Sequence, residues 1–122
     1  EYSAPVPWGF LLHAMEHGAV VIAYRCEDES SCTLADDLRA IMEERPDDPR
    51  CAGQASPNRM ILVPDPELTE PIAVVSWGRM YLATCLDPES LHAFIDVAYG
   101  NARENLCNAG MDGSATGWCA AP

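Results

Sequence analysis

The sequence predicts an α/β (α+β) fold, a single domain with a mixed β-sheet and two helices in the order β-α-β-β-β-α, cross-linked by disulfides. The chain has 122 residues, 48% of them hydrophobic, which is enough to bury the core of one domain. Short apolar runs alternate with segments of helical periodicity. Six cysteines form an even set with no Cys-x-x-Cys pair, which favours disulfides over zinc ligation. We expect one domain over residues 1–122, with an arm and histidine motif at 1–18 and an irregular tail at 107–122.

The amino-terminal half supplies the first strand and the first helix. Residues 1–12 are rich in proline and then apolar, which is typical of an extended arm laid against a domain. Residues 20–24 are continuously apolar and mostly β-branched, which predicts a central strand buried on both faces. Residues 33–45 predict a helix because their apolar side chains recur at helical spacing. Pro46 ends this helix.

The carboxyl-terminal half supplies three strands and the second helix. Residues 60–63 form a short apolar strand, and residues 72–77 and 80–84 form a hairpin around a Gly-Arg turn. A helix then follows, with Pro88 at its first position. The strand-helix-strand unit implies a right-handed crossover and a parallel pair, to which the hairpin adds antiparallel strands.

This topology limits the pairing of the cysteines. Cys26, Cys32 and Cys85 fall at the end of the sheet where the first strand finishes, whereas Cys51 and Cys107 follow helices that return to the opposite end. We therefore favour three disulfides: Cys26–Cys32, Cys51–Cys107 and Cys85–Cys119. The main alternative pairs Cys107 with Cys119 and Cys51 with Cys85, since six cysteines allow 15 pairings.

Disulfides and charge indicate an exported protein. Disulfides persist in oxidising compartments, so we expect a periplasmic or extracellular location. The first residue is Glu1 and not Met, and we expect that a signal peptide has been removed or that the chain has been trimmed. The net charge of −12 disfavours nucleic acid and is compatible with cationic partners, including metal ions. It is more typical of an acidic surface that keeps a secreted protein soluble. No apolar run approaches the roughly 18 residues of a membrane span, so we expect no membrane insertion of this domain. The sequence identifies no protein partner.

The sharpest chemical signal is the segment at residues 13–18, which reads His-Ala-Met-Glu-His-Gly. On a helix, His13 and His17 lie on one face, so both imidazoles can bind one metal ion. The spacing also matches the inverted zincin pattern, in which Glu16 would be the general base. We discount a zinc peptidase, because Gly18 and the strand after it leave little helix and so small a domain lacks the walls of a peptidase cleft.

An extended conformation of this segment would place His13, Met15 and His17 on one side. Imidazole and thioether together suit copper, above all Cu(I), better than zinc. Further thioether ligands in the chain are Met60, Met80 and Met111. The structural alternative is that Met60 and Met80 fill the core and that the two histidines hydrogen-bond backbone groups in a buried turn.

A second unit is the pair Glu16 and Arg79. A buried glutamate needs a partner, and Arg79 follows Trp77 at the predicted hairpin turn. We interpret the pair as an architectural salt bridge that holds the hairpin to the histidine motif. Replacing Glu16 by Gln is then expected to lower stability before it lowers any activity.

Two motifs together carry a family resemblance. His13-x-x-Glu16-His17-Gly18, followed by Ser-Trp-Gly-Arg ending at Arg79, resembles an uncharacterised bacterial exported family known as domain of unknown function 3105. The resemblance covers roughly residues 5–105. It implies an exported or membrane-tethered domain, an association with genes for copper handling, and no established reaction. Members of that family usually carry another His-bearing segment upstream, where this chain has Pro-Val-Pro-Trp-Gly at residues 5–9.

The sequence as a whole predicts an exported metal-binding protein that stores, carries or delivers copper. The metal ligands would be His13 and His17, completed by one or more of the methionines named above. Two other hypotheses stay open. The first is a disulfide-stabilised interaction module without metal, and the second is a metal-dependent hydrolase, which would need an open coordination position and a cleft.

Overall fold

The structure, a computed structural model, describes residues 1–107. The elements of this part of the chain, in order, are α1 (Trp8–Glu16), β1 (Val20–Tyr24), α2 (Leu34–Glu43), a 3-10 turn (Pro49–Cys51), β2 (Met60–Pro64), β3 (Ile72–Ser76), β4 (Arg79–Ala83) and α3 (Pro88–Ala98). The mixed α+β class is confirmed. The two predicted helices are α2 and α3, and α1 is a third that the sequence reasoning did not predict.

The four strands form one mixed sheet in the order β2-β1-β3-β4. Strands β1 and β2 are parallel, with Val20 opposite Met60, as the strand-helix-strand unit predicted. Strand β3 runs antiparallel to β1, with Val21 opposite Val75, and β4 completes a hairpin with β3. The β3-β4 turn therefore lies at the same end of the sheet as the start of β1 and the residues of the histidine motif.

Alternate residues of β1 face two separate cores, because successive side chains of a strand point to opposite faces. Val20 and Ile22 pack with Leu38 of α2 and Ile95 of α3, and all four side chains are fully buried. Val21 and Ala23 pack on the other face under α1. The predicted burial of this strand on both faces is confirmed.

Helix α1 replaces most of the extended arm predicted for residues 1–12. Leu11 and Met15, one helical turn apart, are buried against the sheet, and this packing favours a helix over an extended chain. Only the residues before Trp8 lie against the domain without regular structure. There the Tyr2 amide donates a hydrogen bond to the Leu62 carbonyl at 2.9 Å, and Glu1 forms an ion pair with Arg39.

Two of the three predicted disulfides are confirmed. Cys26 is bonded to Cys32, and Cys51 is bonded to Cys107 across 56 residues of sequence. The alternative pairing is wrong, because the strand-helix-strand crossover brings Cys51 and the residues after α3 to the same end of the sheet. Cys85 is exposed and has no disulfide partner among residues 1–107. Cys119 lies outside the described residues, so its pairing with Cys85 stays a prediction.

Candidate functional site

The two histidines of the motif lie together at the end of α1. His13 is in the last turn of the helix and is exposed, while His17 caps its carboxyl end and its side chain is 15% exposed. Their ring centroids are 4.8 Å apart, with the ring planes inclined by 60°. The helical interpretation of the segment holds, and the extended one is wrong. The structure therefore brings the two predicted imidazole ligands next to each other.

An acidic residue that the sequence reasoning did not single out contacts this pair. The Glu104 carboxylate lies 3.1 Å from Nε2 of His17. Its position follows from the backbone, because the Glu104 amide donates to the Glu16 carbonyl at 3.0 Å and the Leu106 amide donates to the His17 carbonyl at 3.1 Å. No local pattern indicated this contact, since it joins residues 87 positions apart; only the predicted Cys51–Cys107 disulfide pointed to this end of the sheet.

A buried ion pair between Arg59 and Asp48 lies next to the histidine motif. Nη2 of Arg59 lies 2.8 Å from the Asp48 carboxylate, and both residues are more than nine-tenths buried. Nη1 of Arg59 donates to the His17 carbonyl at 2.8 Å and to the Asn105 side chain at 2.7 Å. Arg59 therefore ties the end of α1 to the segment that carries Glu104. Sequence reasoning missed this residue, because an arginine beside a strand reads as a surface charge.

Hydrogen bonds keep the Asp48 carboxyl ionised in this cluster. Burial by itself raises the pKa of Asp48, but hydrogen bonds from the Tyr99 hydroxyl, the Arg50 amide and the Arg59 guanidinium outweigh it and hold the pKa below its usual range. Burial raises the pKa of the Tyr99 hydroxyl, which donates to Asp48 at 2.7 Å. The cluster is thus a fixed structural unit of opposite charges.

The structure does not bring the predicted thioether ligands to the histidines. Met15 is 4% exposed and packs in the core between α1 and the sheet. Met60 is buried on the opposite face of the sheet, beside α2 and α3. Met80 lies on β4, two strands away from β1, and is 64% exposed. Met111 lies outside the described residues.

The expected salt bridge between Glu16 and Arg79 is absent from residues 1–107. The hairpin turn does lie at the same end of the sheet as Glu16, with Trp77 half-buried and Gly78 at a φ of +73° in the turn. Arg79, however, starts β4 at the outer edge of the sheet, whereas Glu16 ends α1 above β1. The architectural link between α1 and the rest of the domain is instead made by Arg59.

Within the described part of the chain, no group of three or more His, Cys, Asp or Glu side chains is arranged to hold a metal ion. The candidate site consists of the two imidazoles alone, with one oxygen of the exposed Glu104 carboxylate 3.1 Å from Nε2 of His17. None of the helices in residues 1–107 has the length and hydrophobicity needed to cross a bilayer.

A comparison with models of protein families finds one that matches most of the chain. The family model described as "Protein of unknown function (DUF3105)" matches residues 1–110. The chain belongs to this family. No curated protein and no solved structure matches the chain. Membership in DUF3105 confirms the resemblance and supplies no reaction, so a function for the chain has to be argued from the site itself. The two disulfides are compatible with an extracellular or periplasmic domain.

Proposed function

We propose that this DUF3105 protein is an exported copper-binding protein, periplasmic or extracellular, that holds the ion between His13 and His17. The observation that supports the proposal is the 4.8 Å separation of the two imidazole rings at the end of α1. A rigid helix end is a precise scaffold for two ligands, because the backbone of both residues is fixed by hydrogen bonds. The net charge of −12 adds a long-range attraction for cations.

The donor set favours Cu(II) over the Cu(I) that a histidine-methionine site would prefer. Thioether ligands select Cu(I), but Met15, Met60 and Met80 lie away from the histidines. Imidazole and carboxylate donors bind divalent ions, and among these copper forms the most stable complexes with a given nitrogen and oxygen site. Zinc forms less stable complexes than copper with the same ligands, so it is the weaker candidate.

The exposure of the site favours carriage or delivery of copper over catalysis. His13 is exposed, so the ion would keep coordination positions on the solvent side. A partner protein can reach these positions and take the ion over by ligand exchange. A hydrolase would also use an open position, but it needs in addition a general base placed beside the metal and a cleft for its substrate.

Titration of Cu(II) and Zn(II) into the metal-free protein tests the proposal. We expect binding of one Cu(II) tighter than micromolar, and its loss by more than about 100-fold in His13→Ala and in His17→Ala, since even an outer-shell partner of a ligand is worth about 10- to 100-fold. Electron paramagnetic resonance of the copper complex should show hyperfine coupling to imidazole nitrogen.

The chain offers a matched control in its third histidine. His92 lies 2.9 Å from Glu44, so it reproduces a histidine-carboxylate contact at a different place on the surface. His92→Ala and Met80→Leu should bind copper as the wild-type protein does. Equal losses in all three histidine variants, or no binding tighter than micromolar in the wild-type protein, would overturn the proposal.

A further inference from the structure

We propose that residues 108–122 dock along the outer side of β4, with Trp118 in a groove beside Cys85. The outer side of β4 comprises the free edge of this strand and the exposed side chains of Met80 and Leu82. No helix or strand of residues 1–107 buries these two side chains. The docking is independent of the proposed copper site, and it gives the surface a partner within the same chain.

Two apolar side chains of β4 are exposed on one face of the sheet. Met80 is 64% exposed and Leu82 is 52% exposed. Both lie on the face that α1 covers elsewhere, because their partners on β3 belong to the core under α1. The other face of β4 is covered by α3, since Tyr81 packs against Phe94 with ring centroids 5.6 Å apart. Neighbouring apolar side chains left open in this way are typical of a surface to which another segment binds.

The backbone of β4 adds unpaired hydrogen-bonding groups to the same surface. β4 is an edge strand, and an open edge is a template for a further extended segment. The opposite edge of the sheet is partly covered, because the Tyr2 amide donates a hydrogen bond to the Leu62 carbonyl of β2. Where β4 ends, Leu82, Cys85 and Ser90 contribute to the walls of a groove of about 430 Å³. The outer side of β4 therefore offers an edge, an apolar face and a groove in one place.

The course of the chain leads residues 108–122 past this surface. Cys107 is bonded to Cys51 at the end of the sheet where β1 starts, whereas Cys85 follows β4 at the opposite end. Cys85 and Cys119 are the two cysteines outside the observed disulfides. If they pair, the residues after Cys107 have to run the length of the sheet, about 17 Å for strands of five residues. The side of β4 that α3 does not cover is the direct route to Cys85.

Charge favours this segment over a second copy of the chain as the occupant. Residues 108–122 contain one charged residue, Asp112, whereas the chain as a whole has a net charge of −12. A second copy would bring a large charge of the same sign against β4, and a nearly neutral segment meets no such repulsion. Trp118 directly precedes Cys119, so a disulfide to Cys85 places a large apolar side chain at the groove.

Oxidation of methionine by hydrogen peroxide, mapped by mass spectrometry on the metal-free full-length chain, tests the docking. A thioether that is covered is oxidised only when the covering segment opens. We expect slow oxidation of Met80 in the wild-type protein. Oxidation should be about 10-fold faster in the triple variant Cys85→Ser, Cys119→Ser, Trp118→Ala, as follows if the segment is docked about nine-tenths of the time. Trp118→Ala alone keeps both cysteines and should give an intermediate rate.

Two controls accompany these variants. Met42 is half-buried beside the core on the opposite face of the sheet, so its oxidation rate should be the same in every variant that is folded. The double variant Cys26→Ser, Cys32→Ser removes a disulfide elsewhere and should leave the Met80 rate unchanged.

Two results would refute the docking. The first is a Met80 that is oxidised as fast in the wild-type protein as in the triple variant, even where Cys85 and Cys119 are found to be bonded. The second is protection of Met80 that increases with protein concentration together with a dimeric mass in light scattering, which would assign the outer side of β4 to a second copy.

Discussion

Gly18 and Arg59 are packed so closely that a β-carbon at position 18 would lie 2.7 Å from Nη1 of the arginine. The same β-carbon would lie 2.8 Å from the Cα atom of Gly100, whose amide donates a hydrogen bond to the Gly18 carbonyl at 2.9 Å. Gly18 also has a φ of +97°, a backbone conformation that residues with a side chain rarely adopt. The glycine that ends the histidine motif therefore has a structural role, since it lets three segments meet under His17.

Gly18→Ala should lower the free energy of unfolding by at least about 3 kcal/mol, because backbone strain and overpacking add at this position. Two other glycines separate these causes. Gly53 has a φ of +82°, and within residues 1–107 no atom lies within 4 Å of where a β-carbon would be, so Gly53→Ala should cost only about 1 to 2 kcal/mol. Gly9 lies in α1 with open space around it, and Gly9→Ala should be neutral or stabilising. Urea unfolding measures all three, and equal costs at positions 18 and 53 would exclude the steric contact.

The Asp48–Arg59 pair predicts a specific acid sensitivity. The folded-state pKa of Asp48 is lowered below its value in the unfolded chain, so the unfolded chain binds the proton more readily. The contribution of Asp48 to stability is then complete above about pH 4 and is lost as the pH falls through the lowered folded-state pKa. Asp48→Asn should remove this part of the pH dependence and cost about 3 to 5 kcal/mol at neutral pH, because it leaves Arg59 buried without an opposite charge.

The matched control is Asp47→Asn, which alters an exposed neighbour of the same chemistry. Urea unfolding from pH 7 to pH 3 should give parallel profiles for the wild-type protein and Asp47→Asn, and a flatter profile for Asp48→Asn. A profile of Asp48→Asn that runs parallel to the wild type would show that the carboxyl is not held ionised by its neighbours.

Sequence reasoning predicted the elements whose signals are local. The β-branched run of β1, the parallel pairing across α2 and the β3-β4 hairpin each follow from a short stretch of sequence, and all were found. Helix α1 was missed because proline and glycine around Trp8 favour an extended chain, and the burial of Leu11 and Met15 outweighs them. This packing against the sheet is a tertiary effect that the segment alone does not encode.

The candidate site was predicted only in part, again because contacts between distant segments are not encoded in the local sequence. The spacing of His13 and His17 is a property of one helical turn, so their proximity could be predicted. Glu104 reaches His17 through the register of two backbone segments and a disulfide, and no periodicity reports such a register. The methionines were assigned by ligand chemistry alone, without knowledge of which face of the sheet each would occupy.

The absence of a salt bridge between Glu16 and Arg79 within the described residues reverses one expectation from the sequence. Glu16→Gln and Arg79→Gln should each change the free energy of unfolding by no more than about 0.5 kcal/mol, the usual range for surface substitutions that break no buried contact. The double variant should equal the sum of the single ones, because uncoupled positions are additive. A coupling energy above about 0.5 kcal/mol in this cycle would restore the salt bridge that the sequence suggested.

The remaining cysteines give a prediction about connectivity. Cys85 is exposed and unpaired among residues 1–107, and Cys119 is the one other cysteine outside the two observed disulfides. In an oxidising compartment two thiols within reach of each other are expected to pair. The 12 residues from Cys107 to Cys119 can span up to about 40 Å, which exceeds the diameter of a domain of this size. We therefore expect a Cys85–Cys119 disulfide.

Peptide mapping without reduction decides this, provided that the digest separates Cys107 from Cys119. Trypsin alone leaves both in one fragment after Arg103, whereas added cleavage before Asp112 divides them. Mass spectrometry should then find the Cys85 peptide joined to the Cys119 peptide, and the Cys51 peptide joined to that of Cys107. The Cys51–Cys107 link is an internal control because the structure contains it. Alkylation of Cys85 and Cys119 in the unreduced protein would show two free thiols instead.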